Sequence, residues 1–134
     1  EMLEVALGPD HPQVALGLNN LAVLRSRLGE YDAAVRLYQR ALGIDEAVYG
    51  PDHPQVATDV NNLATLFFHC GQWQLSKQLY ERAVRIRAGS LGPEHPKTAA
   101  ARTNLATVEE QLRLRDADAD ADADADSAPA GGPD

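Results

Sequence analysis

The residues most capable of chemistry are three histidines that recur at a fixed spacing. His11, His53 and His95 lie 42 residues apart, each between an acidic residue and a proline. A histidine beside a carboxylate can act as a general base, and several histidines together can bind a metal ion. Successive units of a helical stack, however, are about 10 Å apart, whereas metal–ligand bonds are about 2 Å long. We therefore interpret these histidines as parts of linkers.

The second candidate for chemistry is the neighbouring pair His69 and Cys70. A nucleophile and its base must lie within hydrogen-bond reach, but adjacent residues of a helix point about 100° apart. Cys70 also continues an apolar stripe, which predicts a position in the core. The chain has no glycine-rich phosphate loop and no Cys/His set with metal-ligand spacing. The sequence therefore predicts no catalytic residue, no metal ion and no cofactor, and we expect that this chain is not an enzyme.

The phrases around the three histidines mark a repeat of 42 residues, which predicts a protein of stacked structural units. Within the middle copy, apolar residues recur every three or four positions, which is the period of an α-helix. The two stripes are Val56, Val60, Leu63, Ala64, Phe67 and Cys70 in one stretch and Trp73, Ser76, Leu79, Tyr80, Ala83 and Ile86 in the next. Gly71, like Gly29 in the first copy, separates the two stretches at a place where a left-handed residue would end a helix. Each repeat is thus predicted to be a helical hairpin.

The linkers between hairpins have their own signals. Each begins with a Gly-Pro pair that cannot extend the preceding helix, and each ends with a proline suited to a first helical turn. We expect the acidic residue of each linker, Asp10, Asp52 or Glu94, to cap the helix that follows.

These signals divide the chain into five segments. Residues 1–7 align with residues 43–49 and are predicted to be the end of a preceding repeat's second helix. Residues 8–49 and 50–91 are two complete hairpins, and residues 92–115 form a partial repeat with a capping helix. Residues 116–134 are rich in Asp and Ala and lack large apolar side chains, so we expect them to be disordered.

The acidic charge of the chain is concentrated in that last segment. The formal net charge is −8, and seven aspartates lie in residues 116–134, which leaves −1 for residues 1–115. A nearly neutral repeat region has no basic surface for nucleic acid or an anionic membrane. No apolar run is long enough to span a bilayer, and a single cysteine can form no internal disulfide. We expect a cytoplasmic protein that binds neither nucleic acid nor membrane.

The repeats resemble the tetratricopeptide (TPR) family. The resemblance rests on Asn-Leu-Ala at residues 20–22, 62–64 and 104–106, on the Gly-x-aromatic turns at 29–31 and 71–73, and on Leu-Tyr-x-Arg-Ala at 37–41 and 79–83. The 42-residue period and the Leu-Gly-Pro-Asp-His-Pro linker are similar to the variant found in kinesin light chains. The resemblance implies an all-α TPR α-solenoid of antiparallel helical hairpins with a terminal capping helix.

The resemblance also implies a concave groove lined by the first helix of each repeat. The residues expected to bind a peptide there are Asn19, Asn20, Val23, Arg27, Asn61, Asn62, Thr65, His69, Thr103, Asn104 and Thr107. Side-chain amides offer both donors and acceptors to an extended peptide backbone. The alternative is that one asparagine of each pair bonds only to neighbouring helices.

The predicted function is protein–protein interaction through this groove, within a larger adaptor or regulatory protein. The positions around the asparagine pairs hold Val23, Thr65 and Thr107 and no basic residue, so we do not expect the carboxylate clamp of chaperone-binding relatives. Two other hypotheses remain open at this stage. The chain could be the sensor arm of a nucleotide-hydrolysing switch protein of the NB-ARC/STAND type, or a structural self-association element. We expect a monomer that binds a protein or peptide ligand.

Overall fold

The computed structural model describes residues 11–127 of the chain, and the burial of side chains through residue 123. This part of the chain contains five helices: α1 Pro12–Arg27, α2 Tyr31–Tyr49, α3 Pro54–His69, α4 Trp73–Leu91 and α5 Pro96–Ser127. Helix α1 packs on α2 and α3 packs on α4, as the two predicted hairpins require. Helix α2 also contacts α3, and α5 packs on α4. The all-α solenoid is therefore confirmed, whereas the predicted helix end at residues 1–7 lies outside the described residues.

Each first helix begins with a histidine cap, which differs from the predicted acidic cap. His11 Nδ1 accepts a hydrogen bond from the Gln13 backbone N–H at 3.0 Å, and His53 does the same for Gln55. His95 accepts from the Lys97 N–H, also at 3.0 Å. The histidine holds the cap position because a proline follows it as the first helical residue. Asp52 and Glu94 lie one residue too early and are exposed, and Asp10 lies outside the described residues.

The turn inside each hairpin is closed by a glycine in the left-handed conformation, as predicted. Gly29 has φ 81° and Gly71 has φ 78°. The N–H of the residue after each glycine donates to the carbonyl five residues earlier, from Glu30 to Arg25 and from Gln72 to Phe67, both at 2.9 Å. This is the Schellman arrangement, which satisfies carbonyls that the end of a helix leaves unpaired.

The core consists of small clusters that alternate within and between hairpins. Inside the first hairpin, Val14, Ala15 and Leu18 of α1 pack on Ala41 and Ile44 of α2. Between hairpins, a cluster joins the first repeat to α3; its members are Ala22, Ala34, Tyr38, Leu63 and Leu66. Alanines that are fully buried at these contacts let the helix axes approach closely.

The outer side of α5 is polar where α3 is apolar. Arg102 and Glu110 of α5 stand at the positions that Val60 and Phe68 occupy in α3, and both are exposed. Val60 is part of the core that joins α3 to α4. A helix with charged residues at those positions can face solvent without a second helix of its own, which suits the end of a stack.

Helix α5 continues well beyond the predicted end of the capping helix. It runs to Ser127, so residues 116–127 are helical, whereas their composition predicts disorder. The side chains of residues 116–123 are all exposed. Alanine has the highest helix propensity of all residues and alternates here with aspartate, which favours continuation of the helix. Residues 128–134 lie outside the described part of the chain.

Candidate ligand-binding face

The first helices of the three repeats present matching residues on one side. We call this set the first-helix face: Asn20, Val23 and Arg27 of α1, Asn62, Thr65 and His69 of α3, and Asn104 and Thr107 of α5. Within each helix these residues are three or four positions apart, so they share one face. Asn20, Val23, Arg27, His69 and Thr107 are exposed, and the other three are half-buried.

Asn20 and Asn62 are the asparagines with unused hydrogen-bonding groups on this face. Among residues 11–127, neither side chain takes part in a hydrogen bond. They occupy the same position in consecutive repeats, and a side-chain amide can both donate to and accept from a backbone. Within residues 11–127, these two side chains keep their hydrogen-bonding groups unused, whereas those of Asn19, Asn61 and Asn104 each take part in a hydrogen bond.

Asn19 lies elsewhere. Its side chain is only 8 % exposed, and its Nδ2 donates to Asp59 Oδ1 of α3 at 3.0 Å. The residue joins the first repeat to the second instead of facing outward, so we do not include it in the first-helix face. In the pair Asn19 and Asn20, one member therefore bonds to a neighbouring helix, as the alternative interpretation of the asparagine pairs expects.

The third repeat is more engaged in internal hydrogen bonds. Asn104 Nδ2 donates to Asn61 Oδ1 at 3.2 Å, which links α5 to α3. The hydroxyls of Thr103 and Thr107 donate to carbonyls of α5 itself, those of Ala99 and Thr103. Asn61, Thr103 and Asn104 thus offer a ligand fewer unused groups than Asn20 and Asn62 do.

Thr65 is also partly committed to the fold. Its hydroxyl donates to the Asn61 carbonyl at 3.0 Å and lies 2.6 Å from the hydroxyl of Tyr80 on α4. Burial raises the pKa of Tyr80, whereas the bond to Thr65 lowers it. The Thr65 hydroxyl therefore contacts groups of its own hairpin.

No hydrogen bond joins His69 and Cys70 within residues 11–127. Cys70 is exposed rather than in the core, because α3 ends at His69 and the apolar stripe ends with it. Partial burial and the Asp32 carboxylate raise the pKa of the Cys70 thiol, which disfavours the reactive thiolate. The rings of His69 and Phe68 form a T-shaped pair, with their centroids 5.9 Å apart.

Residues 11–127 contain neither a candidate metal-binding cluster nor a helix that could span a membrane. No three His, Cys, Asp or Glu side chains lie close enough together to hold a metal ion. Nor does any helix in this range combine the length and the apolar character needed to cross a membrane.

A buried polar cluster between the repeats was missed by the sequence analysis. It consists of Asp45 of α2 and Asp59 of α3 together with Asn19, and all three are buried. Burial, followed by a hydrogen bond and charge repulsion from Asp59, raises the pKa of Asp45 to about 8. The available signal was that Asp59 lies between Val56 and Val60 in a buried stretch of α3.

Comparisons with known proteins bear on the whole fold. The model of the family described as tetratricopeptide repeat matches residues 1–47, 13–67 and 58–119. The crystal structure of a Podosopora anserina protein assigned to the kinesin light chains, with nearly identical TPR-like repeats, is 27 % identical with a TM-score of 0.72; the alignment covers 80 % of this chain and 51 % of that one. A point variant of that protein matches with a TM-score of 0.71.

A second similar structure is BtubC (BKLC) from P. vanneervenii, with a TM-score of 0.77 and 23 % identity over 99 % of this chain and 56 % of that one. The chain thus spans about half the length of these structures. No curated protein sequence matches the chain. Since the family model covers most of the sequence and the solenoid agrees with it, the chain belongs to the tetratricopeptide repeat family, with repeats of the kinesin-light-chain-like kind.

Proposed function

We propose that the first-helix face binds an extended peptide or partner segment, and that the chain serves as an interaction module within a larger adaptor or regulatory protein. TPR repeats are in general protein–protein interaction modules. The observation that carries the proposal is the pair of unused amides at Asn20, which is exposed, and Asn62, which is half-buried, at the same position of consecutive repeats. A peptide lying across α1 and α3 would bond to both through its backbone.

The basic side chains on the same face favour a ligand with acidic groups. Arg27 and His69 occupy matching positions in α1 and α3, both are exposed, and neither has an acidic partner within residues 11–127. Exposed charges contribute more to the rate of association and to selectivity than to affinity. An acidic peptide is therefore expected to bind faster than a basic one, with a difference that disappears at high salt.

The test measures binding of labelled acidic, neutral and basic extended peptides to the full chain by fluorescence anisotropy. We expect the Asn20→Ala, Asn62→Ala double variant to weaken binding of the acidic peptide by roughly tenfold, because each lost hydrogen bond contributes about 0.5–1.5 kcal/mol. The matched control is Gln39→Ala, Gln78→Ala, which removes two exposed amides from the second helices α2 and α4.

The control variant should bind as the parent chain does. If the parent chain, the asparagine variant and the glutamine variant bind every peptide with equal affinity, the first-helix face is not the binding site. Unchanged far-UV circular dichroism of both variants shows that the effect is local.

A second candidate function, structural self-association, is favoured by the outer side of α1. Leu24 is 52 % exposed, whereas Leu66, its counterpart in α3, is 3 % exposed because Ala34 and Tyr38 of α2 cover it. Leu16 and Leu28 are also exposed on this helix. An apolar surface of this kind is a place where a second copy of the chain could pack.

A further inference from the structure

Two carboxyl groups face each other inside the contact between the first and second repeats. Asp45 on α2 is 2 % exposed and Asp59 on α3 is fully buried. Asp59 Oδ1 accepts a hydrogen bond from Asn19 of α1, while Asp59 Oδ2 has no donor. Three helices therefore meet at one acidic pair, and two ionised carboxylates could not remain so close in a buried site without a large cost in free energy.

The pair is a departure from the repeat. The residue 42 positions after Asp45 is Arg87, and the residue 42 positions after Asp59 is Ala101. At the contact between the second and third repeats, Ala101 is buried in the apolar core, and Arg87 donates to the Lys97 carbonyl at 3.2 Å. The acidic pair is thus not needed for repeats to stack.

Among residues 11–127, no basic side chain contributes to the shift in the pKa of Asp45. Asn19 of α1 faces Asp59 with a neutral amide. On α2, Glu46 is engaged by Arg82 of α4 at 2.7 Å, and Tyr49 stacks on His53 of the linker. The influences on Asp45 are burial and the Asp59 carboxyl, and both act to keep a proton bound.

We propose that Asp45 and Asp59 share one proton and act as a pH-sensitive latch between the first and second repeats. With the proton in place, one carboxyl donates an O–H···O hydrogen bond to the other, and the three helices are held together. Loss of the proton leaves two buried negative charges in contact, which favours separation of the repeats. Asn19 belongs to the same cluster and adjoins Asn20, so separation also moves α1 relative to α3 on the first-helix face.

A route for the proton is present. Asp45 borders a cavity of about 230 Å³ between the start of α1, the end of α2 and the start of α3. Gln13, Tyr49 and Gln55 also line this cavity. Exchange of the proton with water is therefore possible without unfolding of the repeats.

The direction of the pH effect follows from the two states. The pKa of Asp45 is about 8 in the folded protein, against an ordinary value of 3.8. Below about pH 4 the Asp45 carboxyl is protonated in both the folded and the unfolded protein, and the pair then makes its full contribution to stability. Between about pH 4 and pH 8 only the folded state holds the proton, so stability falls as the pH rises, and it levels off above that range.

The first experiment detects the proton directly. The full chain is labelled with ¹³C at the aspartate carboxyl groups, and the side-chain signals are followed by NMR from pH 5 to pH 9. We expect one carboxyl of the pair to remain protonated at pH 6 and to titrate in the upper half of that range. Both signals in the ionised position at pH 6 would overturn the proposal. This result does not depend on any ligand, so it is separate from the test of the first-helix face.

The second experiment compares thermal unfolding at pH 6 and pH 9. The unfolding midpoint of the parent chain is expected to fall by roughly 5–10 °C between pH 6 and pH 9. That of Asp59→Asn should fall by much less, because the asparagine N–H can donate to the Asp45 carboxylate and does not titrate. The control Asp32→Asn removes an exposed carboxyl and should behave as the parent. An equal fall of the unfolding midpoint in Asp59→Asn and in the parent contradicts the latch. If Asp59→Asn does not fold, Asp45→Asn is measured in its place, and the NMR titration of the parent chain tests the shared proton independently.

Discussion

At the scale of single residues, the feature that looked most like chemistry proves to be structural. The imidazole of each linker histidine accepts a backbone hydrogen bond at the start of a first helix, at 3.0 Å in all three cases. Asp52 and Glu94, the acidic residues beside His53 and His95, were predicted to do this and do not. The proline that follows requires the preceding residue to be extended, and the histidine side chain then reaches the N–H two residues ahead.

This role leads to a prediction for His53. His53→Ala should lower the free energy of unfolding by about 1 kcal/mol, because one backbone N–H of α3 loses its cap and the stacking contact with Tyr49 is lost. His53→Asn should lose less, since its side-chain oxygen can replace Nδ1. Urea denaturation measures both.

The control is His69→Ala, which removes an exposed histidine with no capping role. It is expected to change stability by less than about 0.5 kcal/mol. Equal losses in His53→Ala and His69→Ala would show that the cap contributes nothing.

At the scale of helices, glycine has opposite effects at two kinds of position. Gly71 closes the turn between α3 and α4 with φ 78°, a conformation that other residues adopt only with strain. Gly43 lies in the interior of α2, and a methyl group added there meets no atom within 4 Å. Glycine therefore stabilises the turn at the end of a helix and destabilises the interior of one.

We predict opposite signs for the same substitution at these two sites. Gly71→Ala should destabilise the chain by about 1–2 kcal/mol, because alanine resists the left-handed conformation. Gly43→Ala should stabilise it by about 1 kcal/mol, because alanine favours the helix. Thermal and urea unfolding measure both, and a loss of stability in Gly43→Ala would mean that α2 needs a glycine for another reason.

At the scale of the whole molecule, the two ends of the described stack differ. Helix α5 carries Arg102 and Glu110 on the side where α3 packs on its partner, so this end faces solvent. Helix α1 exposes Leu16, Leu24 and Leu28 on the opposite end. If two copies of the chain associate, we therefore expect the interface to form on α1 and not on α5.

The corresponding prediction concerns mass against concentration. If the chain self-associates, its mass by light scattering should rise with concentration, and Leu24→Ser, Leu28→Ser should remain monomeric. The control Val48→Ser, which changes an exposed apolar residue of α2, should associate as the parent does. A parent chain that stays monomeric at all concentrations removes this candidate function.

The sequence by itself determined the period, the helices and the turns of this protein. These depend on local interactions: Gly29 and Gly71 close the hairpins, prolines begin the first helices, and apolar residues recur at the helical spacing. It also indicated which helix positions repeat on the first-helix face, since residues three or four apart share a face in any helix.

Only the tertiary structure decided which of those residues are buried by a neighbouring repeat. Asn19 and Asn20 are adjacent and identical in type, but Asn19 bonds to Asp59 forty residues away whereas Asn20 is exposed. The same is true of Asp45, whose environment depends on an acid in the next hairpin. Burial and pKa are set by contacts between helices that are distant in the chain, and the helical period of one segment carries no information about which side chain its neighbour places opposite.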